Sequence, residues 1–404
     1  MNTDLRIFIC PRIMAWSTQV ALTGFCATAI AFGPARMGFG LFLPQFRQSF
    51  EISSTLAGVI ASAGFCAFLA ALPVTARLVH YAGPKMPVIV GSLSATLGFL
   101  IVALATGPVL LLVGIMFASA SAGLCWAPFN VATEHAVSWR ARPSVLAVIA
   151  SGTSIGIMLA AALSLAVSFD QLHWRAAWAV FAVAGLIVSA GAVLEMPGQP
   201  KQGDKASHFR LSGLIGEESR PLLLTALCFG ATNAIYFSFA ADRVVESGGL
   251  PGLSSGSAAA IVFLSYGACG LLGIFTGKAE SIAGIGWLLR IIFTAAAISH
   301  LLIAFAPQSW LSVVISAGLQ GAALMSVSAI LSIWSLRVFP GNATSGFVAA
   351  LSSLAIGSVI GPATAGLLSD LASPQAMFLI VSIPTLAMAL KPGRWVSAKT
   401  CNPT

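Results

Sequence analysis

Charge is what this chain has least of: only 8% of its 404 residues are Asp, Glu, Lys or Arg, where a soluble domain carries about 25%. With 58% hydrophobic residues beside that figure, folding in water would leave large apolar patches exposed, which excludes an ordinary soluble protein. Acid is scarcer than base, 12 residues against 20. The resulting net charge of +8 is thinly scattered, with no basic tract and no basic–aromatic interleaving, so it argues for membrane topology and against nucleic acid as a partner. The seven cysteines (Cys10, Cys26, Cys66, Cys125, Cys228, Cys269 and Cys401) lie mostly in apolar runs and never in a C-x-x-C spacing. They read as small packing residues, not as a disulfide framework or a zinc site. H-E-x-x-H, G-x-S-x-G and any pair of membrane-embedded aspartates are also missing. Hydrolysis by metal or by acid and base then has nothing to act through, and no enzyme, metal or cofactor is expected. The stretch Gly273 to Ala279 approaches a phosphate loop but is too short and lacks its Ser/Thr.

What the chain has instead is a series of apolar runs of membrane-spanning length. Six lie near Val20–Phe46, Leu56–Leu78, Met86–Ala105, Val109–Val131, Val145–Phe169 and Trp174–Leu194, and six more near Leu222–Ala241, Ala258–Gly277, Ile285–Ala306, Trp310–Leu331, Ser345–Leu368 and Ala376–Leu390. The expected fold is an all-α membrane protein of twelve transmembrane helices. If both termini are cytoplasmic, the inner segments hold 16 basic residues and the outer ones only Arg47, Arg175 and Arg243, the asymmetry the positive-inside rule requires. A bacterial inner membrane is the expected location. Arg6 and Arg12 precede a first run too long for a signal-peptide core, so that run is expected to be retained as a helix. The one long polar interruption, Q-P-K-Q-G-D-K-A-S-H-F-R, falls at mid-chain. It divides the chain into an N-terminal bundle (1–196), a cytoplasmic linker (197–220) and a C-terminal bundle (221–404). The halves resemble each other at an offset of 201 residues, which carries Thr75, Arg77, Ala82 and Gly83 onto Thr276, Lys278, Ala283 and Gly284, and Ser151, Ile155 and Gly156 onto Ser352, Ile356 and Gly357.

Arg36 stands inside the first run, in I-A-F-G-P-A-R-M-G-F-G-L-F-L-P-Q-F (Ile30 to Phe46). A charge near the centre of a bilayer costs roughly 2.5 to 3.5 kcal/mol on insertion scales, so this side chain should face protein, water or an anionic ligand. Counted from Val20 at about 1.5 Å per residue it lies roughly 24 Å into a core about 30 Å thick, so snorkelling to the far interface is the alternative. Pro34 should bend the helix just before it. Other polar side chains inside helices are candidate solute contacts: Trp126 with Asn130, Asn233 with Tyr236, and Tyr266 and Gln320. An interhelical hydrogen bond is the competing role for each. Glu134 and His135 close the fourth helix and suit a gate. No carboxylate falls across the expected midplane, so carboxylate-based proton coupling is poorly supported.

Two six-helix halves joined by a cytoplasmic linker are the plan of a secondary transporter. A-R-M-G-F-G-L-F-L-P-Q-F (Ala35 to Phe46), A-G-L-C-W-A-P-F-N (Ala122 to Asn130) and V-L-A-V-I-A-S-G-T-S-I-G (Val145 to Gly156) resemble the major facilitator superfamily, and within it the YbfB/YjiJ-like bacterial group. The superfamily's loop motif after the second helix aligns with Ala76 to Lys85, keeping Gly83 and Lys85 but with His80 where an aspartate helps latch the halves. The resemblance also implies helix-packing roles for Gly152 and Gly156, and for Gly357, Gly361 and Pro362 in the repeat. It implies a secondary active or facilitative transporter of a small organic solute by alternating access, working as a monomer in the lipid bilayer, with a proton as the coupling ion where there is one. Arg36 favours an anionic solute, because guanidinium binds carboxylate in a bidentate fork. Efflux of amphipathic drugs and a non-transporting receptor or scaffold stay open as alternatives. Metal import of the kind known among relatives would need Met and His in the seventh and eighth helices, which have neither.

Overall fold

The structure, a computed structural model, describes residues 11–138, 141–169, 171–196, 216–339 and 343–391. Most of the expected linker, 197–215, lies outside the described residues. The first half contains α1 (Pro11–Phe32), α2 (Pro34–Phe50), α3 (Ser54–Ala82), α4 (Lys85–Ala103), α5 (Pro108–Cys125), α6 (Ala127–Ala136), α7 (Arg142–Ser168) and α8 (Trp174–Glu195). The second contains α9 (Arg220–Glu246), α10 (Ser255–Gly270), α11 (Thr276–Phe305), α12 (Trp310–Val338), α13 (Ala343–Leu371) and α14 (Pro374–Leu390).

These helices make twelve crossings. The first is α1 and α2 in line, broken at Gly33 (ψ −102°) because Pro34 supplies no N–H and its ring excludes the preceding carbonyl. The fourth is α5 and α6, broken at Trp126. The eighth is α10, a tight turn at Leu271–Phe275 and the first residues of α11; the chain reverses at Gly284 into the ninth. α14 has 17 residues, slightly fewer than the roughly 20 of an average span. Several boundaries run past expectation, the tenth crossing, for example, to Val338 instead of Leu331 and the fourth to Ala136 instead of Val131. The eighth crossing runs past Gly277 to Ala283, and the seventh runs past Ala241 to Glu246, which draws Asp242 into the helix. Large apolar side chains on the outer faces, such as Val109, Leu159, Leu194 and Leu311, are exposed and suit contact with lipid.

The internal repeat is written in the backbone. Gly83 has φ +77° and Gly284, 201 residues later, φ +76°. Each ends a crossing in a conformation that any residue with a Cβ resists. The packing repeats too: a Cβ added at Gly156 would strike the Ala29 carbonyl of α1, and one at Gly357 would strike the Leu227 carbonyl of α9. Gly152 and Gly361 extend these contacts by a turn, against Phe25 and Ala231. Each half thus clamps its fifth crossing on its first through glycines that let the backbones touch.

The halves meet along three helix pairs. α3 lies on α13, with Gly58 against the Pro362 carbonyl and Gly366 against that of Ser54; α7 lies on α10, with Gly267 against Ser154; and α2 lies on α9, with Gly40 against Phe237. Polar bridges gather at the end opposite the linker. Arg47 pairs with Asp242 at 2.8 Å and lies 3.7 Å from Glu246. Asp370 accepts the backbone N–H groups of Ser54 at 3.1 Å and Thr55 at 2.7 Å, so it caps the N-terminus of the other half's α3. Ser254 reaches the Ser168 carbonyl at 3.2 Å.

Replacing Gly156 or Gly357 by Leu should force two backbones apart and lower stability by roughly 1–3 kcal/mol, the usual cost of overpacking. Gly191, which has open space around it, should accept Ala without loss; thermal unfolding in detergent compares the three.

Candidate functional site

Arg36 lies three residues past the break at Gly33, so the bend that Pro34 imposes sets where its side chain points. The side chain is half-buried. Its guanidinium carbon sits 4.4 Å from the ring centre of Phe68, 5.2 Å from Phe65 and 5.6 Å from Phe32. It lines a narrow cleft walled by Phe39 and Gly40 of α2, Ala61 and Phe65 of α3, Ile115 and Ser119 of α5, and Phe237 and Ser238 of α9. The head therefore sits in a cleft that residues of both halves line. Among the described residues no carboxylate pairs with it. Ring faces replace part of its hydration, worth about 2 kcal/mol when desolvated, and leave its donors for a guest.

The C-terminal half supplies Phe237 and Ser238 to the cleft and, close to them along α9, a buried polar network. Asn233 donates to the Tyr266 hydroxyl at 3.2 Å, and the Tyr236 hydroxyl shares a hydrogen bond of 2.8 Å with Ser316, which is bonded in turn to Ser299. The Tyr236 and Tyr266 rings stack at 6.4 Å. Tyr266 and Arg36 are close enough to interact electrostatically. Gln320 is fully buried with both amide atoms unpartnered, beside Gly321, whose backbone packs on that of Tyr266. Such an unpartnered amide costs about 1–3 kcal/mol until something bonds to it. Interhelical hydrogen bonding thus accounts for Asn233 and Tyr236 as seen, whereas Arg36 and Gln320 keep free polar groups.

The remaining candidates lie elsewhere. Trp126 occupies the break between α5 and α6, edge-on to Phe32 at 5.9 Å, and so stands behind one of the rings under Arg36. Asn130 was expected on the same face, but it is exposed and outside the cleft, because the break takes α6 off the line of α5. His80 meets Tyr81 at 4.8 Å; Lys85 donates to the Val193 carbonyl at 2.7 Å and so caps α8 of its own half. Glu134 is exposed and takes part through its backbone carbonyl, which accepts from Arg142 at 2.7 Å. None of the three bridges the halves in this conformation. Among the described residues the charged bridges are Arg47, Asp242, Glu246 and Asp370, which sequence reasoning missed as a group. Their signal was faint: Arg47 is an outer-loop base, and acids stand at two helix ends of the other half. Among the described residues no three His, Cys, Asp or Glu side chains converge as a metal site would need.

Two six-helix bundles closed over a central cleft, with one cation on one wall and a buried network of hydroxyl and amide groups in the other half, define a membrane carrier. A model of the Major Facilitator Superfamily matches residues 22–279, more than half of the chain, and the chain belongs to that superfamily. It is a solute transporter working by alternating access. Solved structures share the fold. The nucleoside transporter NupG, in a point-mutant form, superposes with a TM-score of 0.78 at 13% identity over 94% of this chain and 100% of that one. A bacterial homologue of the human lysosomal transporter Spinster, inward-facing and unoccupied, gives 0.66 at 15% identity over 94% and 95%. The E. coli fucose:proton symporter FucP gives 0.59 at 20% identity over 96% and 99%. Monocarboxylate transporter 13 of Rattus norvegicus is 33% identical over 91 residues, which is 22% of this chain and 21% of that protein.

The Arg47–Asp242 pair should hold its end of the carrier shut. Asp242 is 3% exposed, and removing the partner of a buried charge costs about 3–5 kcal/mol. In Arg47→Ala, labelling of a cysteine placed at Ser238 by a membrane-impermeant thiol reagent from that side should rise roughly tenfold or more.

Proposed function

We propose that the transported solute is a small organic anion and that Arg36 is its principal binding group. The observation carrying this reading is a guanidinium in the cleft between the halves, packed on phenyl rings and without a carboxylate partner among the described residues. Arg36 would fork a carboxylate. Once the halves part, Ser238 and the nearby Asn233, Tyr236, Tyr266 and Gln320 would take the solute's polar groups, and Phe39, Phe65 and Phe237 its apolar surface. The partial match to a monocarboxylate transporter supports the same chemistry. The free space in the cleft is only about 10 Å³, barely room for one water molecule, so entry of a solute requires the halves to part.

The carrier belongs in a bacterial inner membrane with both termini cytoplasmic, and within its superfamily in the YbfB/YjiJ-like group. The 16 basic residues of the inner segments against three of the outer ones support that orientation. The end closed by Arg47 and Asp242 is then the outer one. A second reading, efflux of amphipathic compounds, draws on the phenyl lining, but Arg36 repels the lipophilic cations such pumps accept. A single copy suffices for the proposed cycle.

In proteoliposomes, Arg36→Ala should cut uptake of organic carboxylates by roughly ten- to a hundredfold, the worth of a charge-assisted fork. Arg36→Lys should recover only part of it, since a point charge lacks the fork. Unchanged uptake of every accepted anion in Arg36→Ala would remove the anion reading, and uptake of lipophilic cations would favour efflux.

A further inference from the structure

Among the described residues no carboxylate lines the central cleft, but the second half hides a histidine that solute recognition does not use directly. His300, on α11, has no exposed surface. Its Nδ1 lies 2.6 Å from the Ala296 carbonyl oxygen of its own helix, and its Nε2 lies 3.3 Å from the Thr232 carbonyl oxygen of α9. Both ring nitrogens therefore face acceptors. A neutral imidazole has one N–H and one lone pair, so it can satisfy one carbonyl and must turn a lone pair on the other. Only the imidazolium donates to both.

The surroundings are arranged for that choice to matter. The Tyr236 ring of α9 stands edge-on to His300 at 5.8 Å, and Phe378 of α14 lies tilted against it at 6.2 Å. α12 contributes Ser316, bonded to Ser299, the residue before His300. Tyr266 of α10 stacks on the far side of Tyr236. The charged group next along α11 is Arg243 of α9, which reaches the Ala304 carbonyl, one turn beyond. Among the described residues no Asp, Glu, Lys or Arg is hydrogen-bonded or ion-paired to His300. Burial without a counter-ion opposes the charge, and two carbonyls favour it. These opposing terms make the ring a two-state element.

We propose that His300 is a proton-binding site of the carrier, and that its proton adds a bond from α11 to α9 at Thr232, next to Asn233 and one turn before Tyr236 on the solute-facing wall. Proton binding and solute binding then act on the same stretch of α9, which couples them without a carboxylate. The consequence for transport rests on the carrier reading; the protonation does not.

The test is nitrogen NMR of the full-length protein in detergent, labelled with ¹⁵N in its five histidine rings, with His300→Asn assigning the buried one. On lowering the pH from about 8 to about 5, the widely split pair of His300 ring signals should converge as both nitrogens become protonated. Amide exchange across residues 229–241, corrected for intrinsic rates, should slow roughly fivefold in the wild type, the factor that one added hydrogen bond is worth. It should show no such slowing in His300→Asn. Ring signals that stay split down to the lowest pH overturn the site, and an equal slowing in His300→Asn overturns its link to α9. If that variant does not fold, Asn substitutions at the other four histidines assign the remaining signal. Loss of the Arg36 effect on anion uptake, with the NMR response intact, would instead remove the anion reading and leave the proton site standing.

Discussion

A guanidinium cannot sit in hydrocarbon, and the architecture of this protein is the answer to where Arg36 goes instead. Lipid offers it no hydrogen bonds and no counter-charge. The fold surrounds it with phenyl faces from α1 and α3 and opens its remaining donors onto a cleft completed by α9 of the other half. Neither half could do this alone. The charge gives the cleft its polarity, and the cleft gives the charge a place to exist.

Holding two bundles around such a cleft while letting them move requires contacts that are close but small. Glycine supplies them. Within each half, Gly156 and Gly357 bring the fifth crossing onto the backbone of the first, and between halves Gly40, Gly58 and Gly366 let carbonyl oxygens lie where side chains would otherwise stand. Side-chain bonding between the halves is concentrated at one end, in the cluster of Arg47, Asp242, Glu246 and Asp370. A small-residue seam with charged latches at an end suits rocking, because few interdigitated side chains must be withdrawn for the halves to part.

The two walls of the cleft differ in kind. The N-terminal wall is one cation on aromatic rings. The C-terminal side brings Phe237 and Ser238 to the cleft and holds buried polar pairs beside them, Asn233 with Tyr266 and Tyr236 with Ser316 and Ser299. A proton arriving on the second wall and an anion arriving on the first would each alter what the other meets. A carrier could link two cargoes through such an arrangement with Arg36 as the one charged residue among those lining the cleft.

Composition and pattern alone determined the membrane class, the twelve crossings, the bend before Arg36 and the duplication at an offset of 201, because each depends on local chemistry: hydropathy over a span, a missing N–H, glycines at fixed positions. They also picked out Arg36, Asn233, Tyr236, Tyr266 and Gln320, since polar atoms inside apolar helices are visible residue by residue. What they could not give was who meets whom. Asn130 left the cleft because a helix break at Trp126 redirected it. Asp242 was lost because charge at a helix end looks like a loop until a partner draws it in. His300 looked like any residue of the ninth crossing until two carbonyls from different helices were found against its ring. Pairings between residues some two hundred positions apart are decided by how whole helices pack, and that is settled only when the chain is folded.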